Sequence, residues 1–410
     1  MIRGLKRSTV IWTLAATLLA PHVNAEEVPV HFTPVAAMGM GGAYTAVAHD
    51  DEAVWTNPAG IARSRKARSR SSVHVAKFPN IIAGVNSESR AFYQGLKGSQ
   101  DENVEGLIAE ADGIGDKPFW VRAAMFPVFV FDPSGRNVPT AVGAYTNTTV
   151  KALVDKSAPS DARLSAISDV GLTLGSAFTT DTNRFSFGFQ ARPVYRYAFE
   201  GVVPSSDLVN TSAMKGYLKD GANKATGFGL DAGVLMTLAD FWFPSLGIAI
   251  LNLPTGCQDD YLNPFSEERQ KICGNLFRGD LGNPDALSTV DPTDLRVGIS
   301  ISPRLGRDLS LRFALDVHHI HIPAGDTYYG IPDIDPGKML HAGVEFFIGN
   351  PLEQSPFSLR MGTNQGFISF GLAINMGFLA LDISTWGQDI SSSVSKREDR
   401  RTLVGLTSTF

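Results

Sequence analysis

The sequence predicts an all-β fold, a transmembrane antiparallel β-barrel of about 14 strands with an N-terminal lumenal plug. Three observations predict it: an export signal at the start, segments in which apolar and polar residues alternate, and connections that are long and short by turns.

The export signal comes first. Arg3, Lys6 and Arg7 precede an apolar run from Val10 to Ala20, and Val23-Asn24-Ala25 meets the small-residue rule for signal peptidase. Residues 1–25 therefore read as a secretory signal peptide. The apolar run falls short of the roughly 20 residues a membrane-spanning helix needs. Removing residues 1–25 leaves 33 basic against 41 acidic residues, a net charge of −8, which argues against nucleic acid as a partner. The only cysteines, Cys257 and Cys273, are close in sequence in an exported chain and are expected to form a disulfide; a zinc site would need further ligands, and no histidine lies between them.

The alternating segments build the wall. Phe185, Phe187, Phe189 and Ala191 fall on one face of a strand and Ser186, Gly188, Gln190 and Arg192 on the other. Residues 309–319 repeat the pattern, with Ser310, Arg312, Ala314, Asp316 and His318 opposite Leu309, Leu311, Phe313, Leu315 and Val317. A charged face suits the wet side of a soluble sheet or the lumen of a barrel whose apolar residues face lipid. Segments of this kind run over 70–78, 119–130, 138–147, 168–180, 183–194, 225–239, 244–253, 293–302, 309–320, 338–348, 356–363, 366–376, 378–386 and 400–410.

The connections favour the membrane. Those after segments one, three, five, seven, nine and thirteen are long and those after even segments short, except for the tight turn at Asn364-Gln365. Outer-membrane barrels sort their loops in this way. Aromatic residues near strand ends, at Phe119-Trp120, Tyr195 to Phe199, Phe241 to Phe243 and Trp386, read either as an interfacial girdle or as core packing. The chain stops on Phe410, with Leu406 and Val404 at even spacing before it, like the insertion signal read by the barrel assembly machinery. Residues 102–112 and 205–223 have helical character, with Ser205 and Ser206 as candidate N-caps. They read equally as helices over the barrel mouth or as plain loop.

Residues 26–69 do not alternate. They contain Gly39, Gly41 and Gly42, an acidic group Asp50 to Glu52, and Asn57-Pro58-Ala59-Gly60. The glycines permit close backbone packing, and Asn57 before Pro58 is forced out of helical geometry. A dinucleotide loop is excluded because no strand precedes the glycines and their spacing is wrong. This stretch resembles the N-terminal signature of the FadL-like outer-membrane proteins. Leu359 to Gly366, Phe370 to Ala373 and Leu381 to Ile383 resemble the carboxyl region of the PorV-like and TraF-like branches of that superfamily. The resemblance covers about a sixth of the chain and implies a fourteen-stranded barrel (residues 70–410) whose lumen holds residues 26–69 as a hatch.

What the resemblance implies about function is passive uptake of hydrophobic small molecules, long-chain fatty acids or hydrocarbons, through an outer membrane coated with lipopolysaccharide. Gly39, Gly41, Gly42, Asn57, Pro58, Ala59 and Gly60 would gate the path, and Phe92, Tyr93, Tyr195, Phe199 and Leu208 would bind the hydrophobic ligand or lipid. The alternative from the same resemblance is a component of protein secretion or envelope assembly. The basic run Arg63 to Arg70 reads as solvated or internally paired, or as a greeting for an anionic head group. His318, His319 and His321 suggest a metal cluster, but on a regular strand His318 faces away from the other two; Asp326, Asp333 and Asp335 are the further donors. No metal site and no cofactor are expected. Without a nucleophile motif near His74, His318 or His341, neither is an enzyme.

Overall fold

A computed structural model describes residues 27, 32–63, 73–89, 118–132, 138–155, 158–180, 184–208, 210–259, 271–280, 289–306, 308–325, 327–331, 334–349, 355–391 and 396–409. The proposed signal peptide, Phe92, Tyr93, residues 102–112, Asp326, Asp333 and Phe410 lie outside the described residues.

In chain order the strands are β1 (Val73–Asn86), β2 (Phe119–Met125), β3 (Val128–Phe131), β4 (Thr140–Asp155), β5 (Ala158–Thr179), β6 (Phe185–Pro204), β7 (Asn223–Thr237), β8 (Ser245–Leu251), β9 (Gly256–Asp259), β10 (Lys271–Leu276) and β11 (Arg278–Asp280). They continue with β12 (Val290–Pro292), β13 (Asp294–Ile301), β14 (Leu309–Ile320), β15 (Ile322–Ala324), β16 (Thr327–Tyr329), β17 (Leu340–Ile348), β18 (Phe357–Asn364), β19 (Phe367–Asn375), β20 (Leu379–Asp389) and β21 (Glu398–Thr409). Each barrel strand pairs antiparallel with its neighbours, β7 with β8 and β21 with β1, which closes the wall. Counting β2 and β3 as one strand interrupted before Pro127, and setting aside β11, a three-residue strand added to the end of β7, gives fourteen staves. Closure leaves no free edge, the condition for a sheet to cross a membrane.

The faces are sorted as the alternation requires. On β6, Ser186, Gln190, Arg192 and Arg196 are buried in the lumen while Phe185 and Phe189 stand exposed on the outside. On β14, Arg312 and Asp316 are buried and Phe313 and Leu315 exposed. Exposure of Leu172, Ile299, Leu359 and Phe370 on the outer surface is stable only against lipid, where an apolar exterior costs nothing. Val404 and Leu406 join this surface on β21, which pairs Thr409 with Lys77.

Four expectations need correction. The first strand does not end at 78: β1 passes Pro79, which sits where the register to β21 shifts between Lys77 and Asn80, and a bulge spares the ladder a missing N–H. The long connection after the third segment is no loop, because β4 and β5 stay paired from Thr140↔Ser176 to Asp155↔Ala158. The helical stretch near 205 forms a short 3-10 turn, Ser205–Leu208, and then α-helix Thr211–Asp220, whose N-cap is Asn210 and neither of the serines; Asn210 Oδ1 accepts from Ser212 and Ala213 N–H. That helix packs on the outer face of β5 and β6 with Ala162, Leu164 and Phe199, so it does not cover the mouth. The aromatic residues divide as well. Tyr195, Tyr197, Phe241 and Trp242 are exposed outside, but Trp120 and Trp386 are buried in the lumen, edge to face at 6.2 Å.

Separate from the barrel sheet, β9, β10, β12, β15 and β16 form a second small sheet. Cys257 on β9 and Cys273 on β10 are register partners and are disulfide-bonded.

Candidate functional site

Residues 32–63 lie inside the barrel. They form a helix α1 (Val35–Gly39), a turn, a 3-10 turn (Asp50–Glu52), a helix α2 (Ala53–Thr56) and a 3-10 turn (Pro58–Arg63). Their apolar side chains are buried: Trp55 stacks on Phe32 at 4.2 Å and meets Phe126 and Tyr145 edge to face at 5.1 and 5.0 Å. A polar-lined lumen thus encloses an apolar core made largely by this segment.

The segment meets the wall at glycines. Gly41 and Gly42 take φ of +67° and +88°, which a side chain would strain. They turn the chain against Thr363 and His341, and Gly39 faces Gly371. Across the lumen, Gly188 faces the Pro58 carbonyl, Gly233 faces Asn57, and Gly175 faces Ile61. A Cβ at any of these wall glycines would occupy the segment's own space.

Asn57 joins turn, segment and wall. It is fully buried; Nδ2 donates to Thr45 O at 3.0 Å and to Val234 O at 3.2 Å, and Oδ1 accepts from Ala59 N–H at 3.1 Å. Gly60 lies tight against Ala48 O. Asp316 on β14 accepts from Tyr44 and Thr45 N–H at 2.8 and 2.7 Å. His341 Nδ1 donates to Gly41 O at 2.8 Å. Arg63 donates to Ala46 O and Thr237 Oγ1, an internal use of the first residue in the basic run. Glu52 accepts from Ala36 N–H at 3.2 Å, while its Oε2 is buried without a hydrogen bond. Burial, helped by Asp51 and Asp382, pushes its carboxyl up to about 8 against the pull of Arg360 and Lys77.

Around the segment the wall is braced by ion pairs. Arg192 holds Asp231 at 2.7 and 2.9 Å, and Arg196 holds Asp169 at 2.7 Å through two nitrogens and reaches Asp291 at 3.0 Å. On the far side Glu345 lies between Arg312 and Arg360 at 2.6 and 2.9 Å. Bidentate pairs of this sort satisfy the guanidinium fork in a dry place. Arg401 binds Glu27 and Asp399 at 2.7 and 2.8 Å. Burial alone would raise the Glu27 carboxyl, but Arg401 and Lys151 overcome it and hold that group well below the ordinary range. A cavity of about 200 Å³ remains beside the segment, lined among others by Phe32, Trp120, Arg122, His341, Trp386 and Arg401.

Of the predicted ligand residues, the three that are described, Tyr195, Phe199 and Leu208, do not line this cavity. Tyr195 points outward, because Arg196 beside it turns into the lumen. Phe199 and Leu208 do meet, but on the outer face under helix Thr211–Asp220. The histidines differ too. His319 has φ of +55°, which breaks the alternation, so His318 and His319 are both buried and line the cavity. His318 stacks on His341 at 4.1 Å, and no group of three metal donors occurs among the described residues. Sequence reasoning missed the cavity residues Arg122 and Trp120; a single arginine facing inward in the apolar run of β2 was the available signal.

No protein-family model matches the chain, and no curated protein matches it. Solved structures do. The Pseudomonas putida toluene transporter TodX is 11% identical with a TM-score of 0.51, the match covering 94% of this chain and 99% of that one. A TodX monoaromatic hydrocarbon channel lacking S2 and S3 is 10% identical with a TM-score of 0.51 over the same shares. The chain therefore has the FadL-like outer-membrane barrel fold.

Proposed function

We propose that the protein is an outer-membrane channel for passive uptake of small hydrophobic molecules, exported by residues 1–25, with residues 26–69 as its hatch. One observation carries the reading: an apolar, lipid-facing barrel encloses a lumen filled by residues 32–63. A lumen so filled by an apolar segment differs from the water-filled lumen of an open porin. The fold points the same way, because the matched structures are described as toluene and monoaromatic hydrocarbon channels. Gly39, Gly41, Gly42 and Asn57 to Gly60 are the hatch contacts that must loosen for a ligand to pass. A cavity of about 200 Å³ favours a compact single-ring solute over a long acyl chain, since roughly 150 Å³ already accommodates benzene. The stretch at 359–366, which suggested a secretion component, packs on Met40 and Gly41, so docking of the hatch accounts for it.

The test is uptake of labelled toluene and oleate by cells lacking other hydrophobic channels. Expression of this chain is expected to raise toluene entry several-fold. Unchanged entry of both solutes overturns the reading, as does recovery of the barrel in a fixed ratio with another exported protein.

A further inference from the structure

Two buried arginines in the lumen are not fully satisfied. Arg122 on β2 is 4% exposed; its Nε donates to Asn147 Oδ1 at 2.8 Å, and its Nη2 is buried without a hydrogen bond. No carboxylate pairs with it among the described residues. Arg401 on β21 is 5% exposed and spends Nε on Asp399 and Nη1 on Glu27, leaving Nη2 likewise without a partner. Every other arginine described above as bracing the wall has its carboxylate. An unpaired buried cation is costly unless something neutralises it, and here the neighbouring charge is a second cation.

Both arginines line the same cavity, and each lies over an aromatic face. Arg122 is 5.0 Å from the Phe32 ring centre and Arg401 4.7 Å from that of Trp120. Trp386 and Ile167 continue the apolar lining. Carboxylates line the cavity too, but Glu27 is held by Arg401 and Lys151, and Asp169 and Asp291 by Arg196, so Arg122 is the guanidinium left without one, beside flat apolar walls in about 200 Å³. Inorganic anions would use the charge and leave the rings wet. A neutral hydrocarbon would use the rings and leave the guanidinium unpaired. A long-chain fatty acid exceeds the volume.

We propose that this cavity binds a single-ring aromatic carboxylate, its carboxylate on Arg122 and Arg401 and its ring between Phe32, Trp120 and Trp386. The assignment rests on the uptake reading for its biological sense, since it names a ligand of that path, but the binding itself does not require transport. Arg122 supplies the charge that distinguishes acid from neutral isostere, and Arg401, already held by two carboxylates, adds one N–H.

Calorimetric titration of the full-length folded barrel in detergent with benzoate and with neutral benzamide tests it. Benzoate is expected to bind at least tenfold tighter than benzamide. Arg122→Gln is expected to bring benzoate down to the benzamide level, and Arg122→Lys to keep part of the preference if the Gln variant fails to fold. Equal affinity for the two probes, no binding of either, or an Arg122→Gln barrel that still prefers benzoate overturns the assignment. Toluene uptake without benzoate binding removes this inference and leaves the uptake reading standing; benzoate binding without toluene uptake does the reverse.

Discussion

The two ends of the lumenal segment dock on opposite walls by different means. At the first end, glycine meets glycine: Gly39 lies on Gly371, and Met40 and Gly41 lie on Gly343 and Gly362, so main chain touches main chain. At the second end the wall alone provides glycines, Gly175, Gly188 and Gly233, and the segment brings Ile61, Pro58 and the side chain of Asn57. The first contact has shape but few hydrogen bonds across it, His341 to Gly41 being one. The second is pinned by Asn57 to β7, by Gln190 Nε2 to Val54 O at 3.0 Å and by Arg63 to Thr237. A segment held by fit at one end and by directional bonds at the other should let go at the fitted end first when a bulky ligand presses on it.

Putting a side chain into the fitted end breaks the comparison most severely. A Cβ at Gly362 would lie 2.6 Å from Met40 C and 2.7 Å from Gly41 N, and 2.5 Å from the Ala342 carbonyl of the adjoining strand, so neither neighbour can yield cheaply. Gly362→Val is expected to cost more than about 4 kcal/mol, the range of severe overpacking, and to expel α1 from the wall. Maleimide labelling of Ala37→Cys, a position buried in the parent, should become fast in that background. If Ala37→Cys stays protected, the fit at this end is not what holds it.

Gly188→Val is the matching break at the second end, where the added atoms meet Pro58 and Ala59 main chain. Its effect is expected to be smaller, about 3 kcal/mol, because Asn57 and Arg63 keep the end tethered. Labelling should now rise at Ala59→Cys and remain slow at Ala37→Cys. Equal exposure of both positions would mean that the segment moves as one body and that the two ends do not differ.

The same contrast explains what could be read from the sequence. Both partners of the first contact stood out in the sequence, Gly39 to Gly42 as a Gly-rich stretch outside the alternation and Leu359 to Gly366 through a family resemblance, but that they touch is visible only in space. The wall glycines of the second contact were hidden, since Gly175, Gly188 and Gly233 occupy ordinary lumenal positions in alternating strands. Strand order and facing followed from period-two patterning. The upper parts of β4 to β6 did not, because a helix covers Ala162, Leu164 and Phe199 there and lipid no longer demands large apolar residues. His319 escaped because its left-handed backbone has no sequence cue. The cavity was invisible because Phe32, Trp120, Arg122 and Arg401 come from three separate parts of the chain.

Asn57→Ala sharpens the comparison by removing bonds without adding bulk. It deletes three hydrogen bonds and leaves the Thr45 carbonyl and the Ala59 N–H without that partner. The expected loss is roughly 2 kcal/mol, read as a lower melting temperature in detergent and as faster labelling at Ala59→Cys alone. A melting temperature within error of the parent would show that the buried amide contributes nothing net.

The last contrast concerns the joint between the ends. Glu52 links them by accepting from Ala36 N–H, and it faces Asp51 in its own turn, Lys77 on β1, Arg360 on β18 and Asp382 on β20. Its docked carboxyl titrates near 8 where an ordinary glutamate titrates near 4.5, chiefly because burial disfavours the charge. Below the lower value both docked and released forms hold the proton, and Glu52 adds no pH dependence. As pH rises from 4.5 towards 8 the released form ionises while the docked one stays neutral, so docking weakens across that window and the penalty levels off above it. Glu52→Gln keeps the acceptor for Ala36 and removes the ionisation. It is expected to stabilise docking at pH 8 and to change nothing at pH 4. Labelling at Ala37→Cys, divided at each pH by the labelling rate of the unfolded chain to remove the thiol's own ionisation, should rise with pH in the parent and stay flat in the Gln variant; an equal slope in both would assign the pH dependence to another group.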